Sequence, residues 1–260
     1  MDIQPVHQAM NIQEIHFPQE NRALAVFPPS GTDTTEIVQA LGIRQPKAVI
    51  MIAGGASKMG EHVRQDLAQL FTDGIAQVAA SNKALIIDGG TQAGVMALIG
   101  QGVSKQSLRP VLLGISPSEK VTYPGKLTHR AGSEEVPLDP NHSHFVLVES
   151  NEWGGETETM YELAKFFSQG CPSLAILING GAIAKNEVLY NVRQGRPIII
   201  IEGSGRLADE VASTLHEKSS FDSDPDLAEI ITLGKLYLFP LAGSTLELEQ
   251  LTQRLLDEQK

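Results

Sequence analysis

Short apolar runs ending in glycine recur along the chain, and helical spacing follows most of them. The runs "ALAVF" (23–27), "AVIMIAGG" (48–55), "ALIIDGG" (84–90) and "PVLLGIS" (110–116) read as strands. So do "FVLVES" (145–150), "LAILINGG" (174–181), "PIIIIEGSG" (197–205) and "KLYLFPL" (235–241). Residues 198–201 are four isoleucines in a row. A run apolar at every position predicts a strand buried on both faces, as in a parallel sheet. Over 58–80 the apolar residues Val63, Leu67, Leu70, Phe71, Ile75 and Val78 keep helical spacing. The same reasoning predicts helices over 32–42, from about 91 to 100, and over 156–169, 183–194, 206–217 and 245–257.

Strands that alternate with helices imply βαβ units with right-handed crossovers. The expected fold is therefore α/β: a Rossmann-like, doubly wound, mainly parallel sheet in a three-layer sandwich. No linker interrupts the pattern, and 260 residues fit one large domain. Residues 1–260 are expected to form that single domain, with the strand and helix over 235–257 completing it. Two segments lack periodicity. Residues 117–143, rich in Pro, Gly and His, are long for a structureless loop, which points to a functional or mobile role. Residues 219–229 read as a solvated acidic loop.

Four strands end alike, in "IAGGASK", "IDGGTQAG", "INGGAIA" and "IEGSGR". In a parallel sheet these turns share one edge, where open α/β sheets bind ligands. Helix N-termini and glycine backbone favour a phosphate there, although a single glycine turn can serve only as a tight corner. The candidate ligand residues are Gly54, Gly55, Ala56, Ser57, Gly89, Gly90, Thr91, Gly94, Asn179, Gly180, Gly181, Gly203, Ser204, Gly205, Arg206 and Asp209. Gly203, Ser204 and Gly205 offer N–H groups and a hydroxyl, and Arg206 offers a permanently charged fork. Asp209 either orients Arg206 or caps the helix; pairing of the two on the helix surface is the plainer alternative. Two familiar phosphate motifs fail. "GASKMGEH" (55–62) lacks the Lys-Ser/Thr that completes a P-loop, and "GGTQAG" (89–94) has Thr91 where a dinucleotide fingerprint needs its second glycine.

The net charge of −11 argues against general nucleic-acid or anionic-membrane binding. Cys171 is the lone cysteine, which excludes an intrachain disulfide and a multi-cysteine zinc site. The first residues have no signal-peptide pattern, and no apolar run approaches the roughly 18 residues of a membrane span. A soluble cytoplasmic protein, paired into a homo-oligomer, is the expectation.

The segments "AVIMIAGGASKM", "ALIIDGGTQAGVMALIG", "LDPNHSHFVLVESNEWGGETETM" and "PIIIIEGSGRLADEVA" occur in this order. Together they resemble the prokaryotic relatives of the cytosolic N-terminal region of melastatin-type TRP channels, the LSDAT or SLOG-in-TRPM family. The resemblance runs from about residue 22 to 216. Its superfamily, SLOG, also holds the LOG phosphoribohydrolases and the Smf DNA-processing proteins. It implies a sensor or binder of a nucleotide-derived ligand, ADP-ribose-like or nucleoside-phosphate-like, with no other cofactor assigned.

The competing expectation is a LOG-like hydrolase acting on nucleoside monophosphates. "WGGETETMYE" (153–162) only approximates the LOG motif Gly-Gly-x-Gly-Thr-x-x-Glu, and "AGSTLELE" (242–249) echoes it more loosely. Glu156, Glu158 and Glu162 are the candidate catalytic carboxylates, with Glu158 and Glu162 equally readable as an exposed helix face. In "DPNHSHF" (139–145), His142 and His144 alternate and could share a metal ion with Asp139; the alternative is a structural corner. Trp153 suits base stacking or packing, and Cys171 a buried structural thiol.

Overall fold

A computed structural model describes residues 9–55, 60–127, 135–217 and 224–260. Its strands are β1 (Asn11–His16), β2 (Arg22–Phe27), β3 (Ala48–Gly54), β4 (Ala84–Asp88), β5 (Val111–Pro117), β6 (Val121–Thr122), β7 (Val136–Pro137), β8 (His144–Val148), β9 (Ser173–Ile178), β10 (Ile198–Glu202) and β11 (Leu236–Pro240). Its helices are α1 (Thr34–Leu41), α2 (Glu61–Gln69), α3 (Ala76–Ser81), α4 (Gly94–Ser104), α5 (Thr157–Phe167), α6 (Ala182–Arg193), α7 (Arg206–Glu217), α8 (Pro225–Leu233) and α9 (Thr245–Asp257). Among the described residues nine strands form one sheet in the order β1-β2-β8-β5-β4-β3-β9-β10-β11. Every pair in it is parallel except the β1–β2 hairpin at one edge.

The four isoleucines of β10 show why the sheet lies between two helix layers. Ile198 and Ile200 enter one core with residues of α1, α5, α6, α7 and α8. Ile199 and Ile201 enter the other, with residues of α2, α3, α4 and α9. Alternate side chains of a strand point to opposite faces, so an all-apolar strand needs a cover on each. The result is the Rossmann-like three-layer arrangement expected from the sequence.

Starting from β3, the chain adds β4, β5 and β8 on one side, and later β9, β10 and β11 on the other. The strand order therefore reverses between β3 and β9, a topological switch point that opens a crevice beyond the strand C-termini.

Four details differ from the sequence reading. Residues 58–80 are not one regular helix: α2 passes through a π turn, Leu70–Ile75, before α3. There Gly74 lies against Leu248 of α9, and a Cβ would stand 3.3 Å from that side chain. The stretch expected as an acidic loop contains the start of α8, with Asp224 as N-cap accepting from Leu227 N–H and Pro225 in the first turn. Residues 117–143 carry the parallel pair β6–β7. β1 has no counterpart in the sequence reading; its only buried side chain is Ile15, too little for a clear alternating signal.

Candidate functional site

A cavity of about 460 Å³ opens at the switch point. That size is within the range of small-molecule sites. Gly54 and Gly55 at the end of β3, Gly89 and Thr91 after β4, Gly181 after β9, and Arg206 all line it. Ile52, Met96, Trp153 and Ile183 add apolar wall, with Trp153 37% exposed at the rim. Glu156 and Glu187 supply two carboxyls.

Close strand packing dictates the glycine at 54, because a Cβ there would meet the carbonyl of Ile178 across the β3–β9 pair. At Gly181 a side chain would collide with the Arg206 guanidinium. Arg206 has φ of 51°, a left-handed conformation unusual for a residue with a side chain. This backbone strain accompanies a guanidinium lying over Gly181 and within 3.6 Å of a Cβ placed on Gly55.

Helices α4 and α6 begin at the cavity. Their N-cap residues, Ala93 and Gly181, provide no capping side chain. Ala93, at the start of α4, and Ala182, Ile183 and Ala184, at the start of α6, all line the wall. Uncapped helix N-termini carry partial positive charge and unpaired N–H groups, a setting for an anion. The start of α7 is arranged differently. Its Leu207 and Ala208 N–H groups donate to the carbonyls of Gly180 and Asn179. The Ser204 hydroxyl is buried and committed to the scaffold, accepting from Asn179 N–H at 2.8 Å and donating to Ile201 carbonyl at 2.6 Å. Asp209 accepts from Gly203 N–H at 2.7 Å, so its carboxylate secures the turn.

Of the sixteen ligand residues expected from the sequence, Gly54, Gly55, Gly89, Thr91, Gly181 and Arg206 line the cavity. Gly90, Gly94, Asn179, Gly180, Gly203, Ser204, Gly205 and Asp209 do not, and they shape the turns behind it. Gly90, for example, lets the β4 turn approach β5, where a Cβ would stand 2.7 Å from Gly114 Cα. Ala56 and Ser57 lie outside the described residues.

The acidic candidates separate in the same way. Glu156 is only 5% exposed and accepts from Gly154 N–H at 2.8 Å. Burial pushes its carboxyl up, against the hydrogen bonds that pull it down. Glu158 and Glu162 are exposed on α5, outside the cavity lining, and "AGSTLELE" contains the capping box of α9, Ser244 with Glu247. Sequence reading passed over Glu187, which is 9% exposed. Its pKa is pushed up to about 8 by burial first and then by the negative charges of Glu156 and Asp88. The available signal was its place on the buried stripe of α6, with Ala184, Val188, Asn191 and Val192. A carboxyl at a core-facing helical position breaks the apolar pattern.

His142 and His144 do not form a metal pair. His142 is buried between two aspartates, with Nε2 2.8 Å from Asp88 Oδ1 and Nδ1 3.2 Å from Asp139 Oδ1. Its ring stacks on Phe145 at 5.4 Å. Burial opposes its charge, but the two aspartates outweigh it and raise its pKa to about 9. Asp88 Oδ1 also accepts from Gly90 N–H at 2.6 Å, so this trio fixes the β4 glycine turn behind the cavity. His144 pairs with Ser143 Oγ, and burial lowers its pKa. Among the described residues no group of three or more His, Cys, Asp or Glu could hold a metal ion. Cys171 contacts the Phe167 carbonyl, and burial raises its thiol pKa, the opposite of an activated nucleophile.

Strand order and site together define a doubly wound α/β protein with its cavity at the switch point. The chain belongs to the family described as "SLOG in TRPM, prokaryote", which it matches over residues 47–249. It is similar to transient receptor potential cation channel subfamily M member 2 of Rattus norvegicus, with 30% identity over 219 residues. That match covers 69% of this chain and 14% of the channel subunit. Member 7 of the subfamily from Homo sapiens is 28% identical over 226 residues, covering 75% and 12% respectively. The chain thus spans about a seventh or less of the length of these relatives. Among the described residues no helix is long and apolar enough to cross a membrane.

Proposed function

We propose that this protein binds a nucleotide-derived ligand, ADP-ribose-like or nucleoside-phosphate-like, in the switch-point cavity. The observation that carries this reading is the anion-binding wall: Arg206 against Gly55 and Gly181, beside the uncapped start of α6. A phosphate there meets a guanidinium fork, glycine backbone and a helix N-terminus together. The apolar wall of Ile52, Met96, Ile183 and Trp153 suits the flat face of a base. Membership of the SLOG family supports the same class of ligand. ADP-ribose or AMP should raise the melting temperature in a concentration-dependent way, because a ligand that binds only the native state stabilises it. A flat thermal-shift profile across ADP-ribose and the adenine and guanine nucleotides at millimolar concentration would refute this reading.

A second reading rests on the two carboxyls in the same cavity. Buried acids with raised pKa values suit general acid–base work. Such a site would add water across the glycosidic bond of a nucleoside monophosphate, releasing base and ribose 5-phosphate. Incubation with AMP distinguishes the two: free adenine indicates hydrolysis, whereas intact AMP that still shifts the melting temperature indicates binding alone.

A further inference from the structure

Glu187 is more than nine-tenths buried and lines the cavity. Its carboxyl makes no hydrogen bond or ion pair among the described residues; only its backbone carbonyl is engaged, accepting from Asn191 Nδ2 at 3.0 Å. A buried polar group without a partner is costly to a fold unless something else needs it there. The charges acting on it, from Glu156 and Asp88, are both negative. This end of the cavity therefore repels a phosphate and calls for hydrogen-bond donors. The Arg206 end has the opposite character. Glu187 lies five residues beyond Ala182, the first residue of α6, or about 7.5 Å along the helix axis. That is the reach of one sugar ring beyond a phosphate at the helix start, and it falls short of a sugar and base together.

We propose that Glu187 reads the sugar hydroxyls of the ligand, so that the cavity selects ribonucleotides over deoxyribonucleotides. This rests on the nucleotide reading above. The sugar hydroxyls donate to the Glu187 carboxyl, which has no hydrogen-bond partner among the described residues, and the phosphate lies toward Arg206. The apolar wall then receives the base.

Calorimetric titration with AMP, 2′-deoxy-AMP, 3′-deoxy-AMP and inosine monophosphate tests the proposal. Loss of a hydroxyl facing the Glu187 carboxyl should weaken binding at least about tenfold, whereas inosine monophosphate, which lacks the adenine amino group, should lose no affinity through Glu187. Glu187→Leu should weaken AMP binding and bring the ribo and deoxy forms to similar affinity. The ligand-free Glu187→Leu variant should also melt higher than the wild type, which a carboxyl with a structural task would not allow. Glu187→Gln, which keeps a donor and an acceptor, should retain the preference for ribose. Equal wild-type affinity for AMP and both deoxy forms would overturn the proposal. So would a ribose preference that survives in Glu187→Leu, or an adenine preference that disappears there. If neither the four nucleotides nor ADP-ribose binds, the nucleotide reading itself fails and takes this inference with it.

Discussion

Two pairs of buried acids lie at the C-terminal edge of this sheet, and the protein treats them differently. Asp88 and Asp139 have a histidine between them, with both ring nitrogens of His142 engaged. Glu156 and Glu187 face a cavity, and the charges that raise Glu187 are themselves negative. The first pair shares an imidazole within the chain and fastens Gly90 in the β4 turn through Asp88 Oδ1, while Asp88 Oδ2 is buried without a hydrogen-bond partner. In the second, Glu156 accepts from Gly154 N–H, and the Glu187 carboxyl is left open to whatever enters the cavity. Buried charge that is paired belongs to the scaffold, whereas buried acid left unpaired marks a place where stability is given up for binding. Asp88 belongs to both settings, since it holds His142 and also acts on Glu187.

The largest effect should come from breaking the histidine-bridged pair. His142→Ala leaves Asp88 and Asp139 buried without a counter-charge. Removing one partner from a buried ion pair costs about 3–5 kcal/mol, so the urea midpoint should fall steeply. A loss under about 1 kcal/mol would show that the aspartates do not depend on the imidazolium.

Next in size is the pH dependence. The folded-state pKa of His142, about 9, lies above its ordinary value of 6.5. The stability it contributes is complete below 6.5 and disappears as pH rises through 9. Glu187 is likewise raised, from 4.5 to about 8, so the folded protein holds its proton more tightly and loses stability as pH climbs through 8. Both groups act in the same direction, and the ligand-free protein should unfold at lower urea at pH 9 than at pH 6. Equal midpoints at the two pH values would contradict both assignments.

A smaller effect isolates the open carboxyl. Glu187→Leu removes a buried carboxyl without a hydrogen-bond partner and should stabilise the ligand-free protein by about 1 kcal/mol near pH 6. The gain should widen between pH 4.5 and 8, where the unfolded carboxyl ionises and the folded one holds its proton, and level off above 8. A destabilised variant would mean that Glu187 supports the fold.

This contrast also shows what the sequence could reveal. The fold was legible because runs such as the four isoleucines of β10 are apolar on both faces and end in glycine. The cavity's glycine edge and Arg206 were legible for the same reason, as motifs continuous along the chain. Glu187 was not, because only its direction on α6 separates it from an exposed glutamate such as Glu162. The division between lining and support was also hidden: Ser204 and Arg206 are two residues apart, yet one hydroxyl ties β9 to β10 and one guanidinium faces the cavity. In α8, Asp224 and Pro225 resembled an acidic turn, although an aspartate followed by proline also opens a helix. β1 buries a single side chain at a sheet edge, and one residue sets no period.

The most direct test of the central claim is calorimetric titration of ADP-ribose into the wild type and Arg206→Ala, alongside the urea midpoint of each without ligand. Saturable binding in the wild type is expected, weakened about 10- to 100-fold in the variant, the equivalent of a lost charge-assisted hydrogen bond. The urea midpoints should differ far less than the affinities, because alanine keeps the Cβ and therefore the same left-handed backbone at φ of 51°. Unchanged affinity in a folded Arg206→Ala variant would contradict the account and reduce the turn at 203–206 to a strand-to-helix corner.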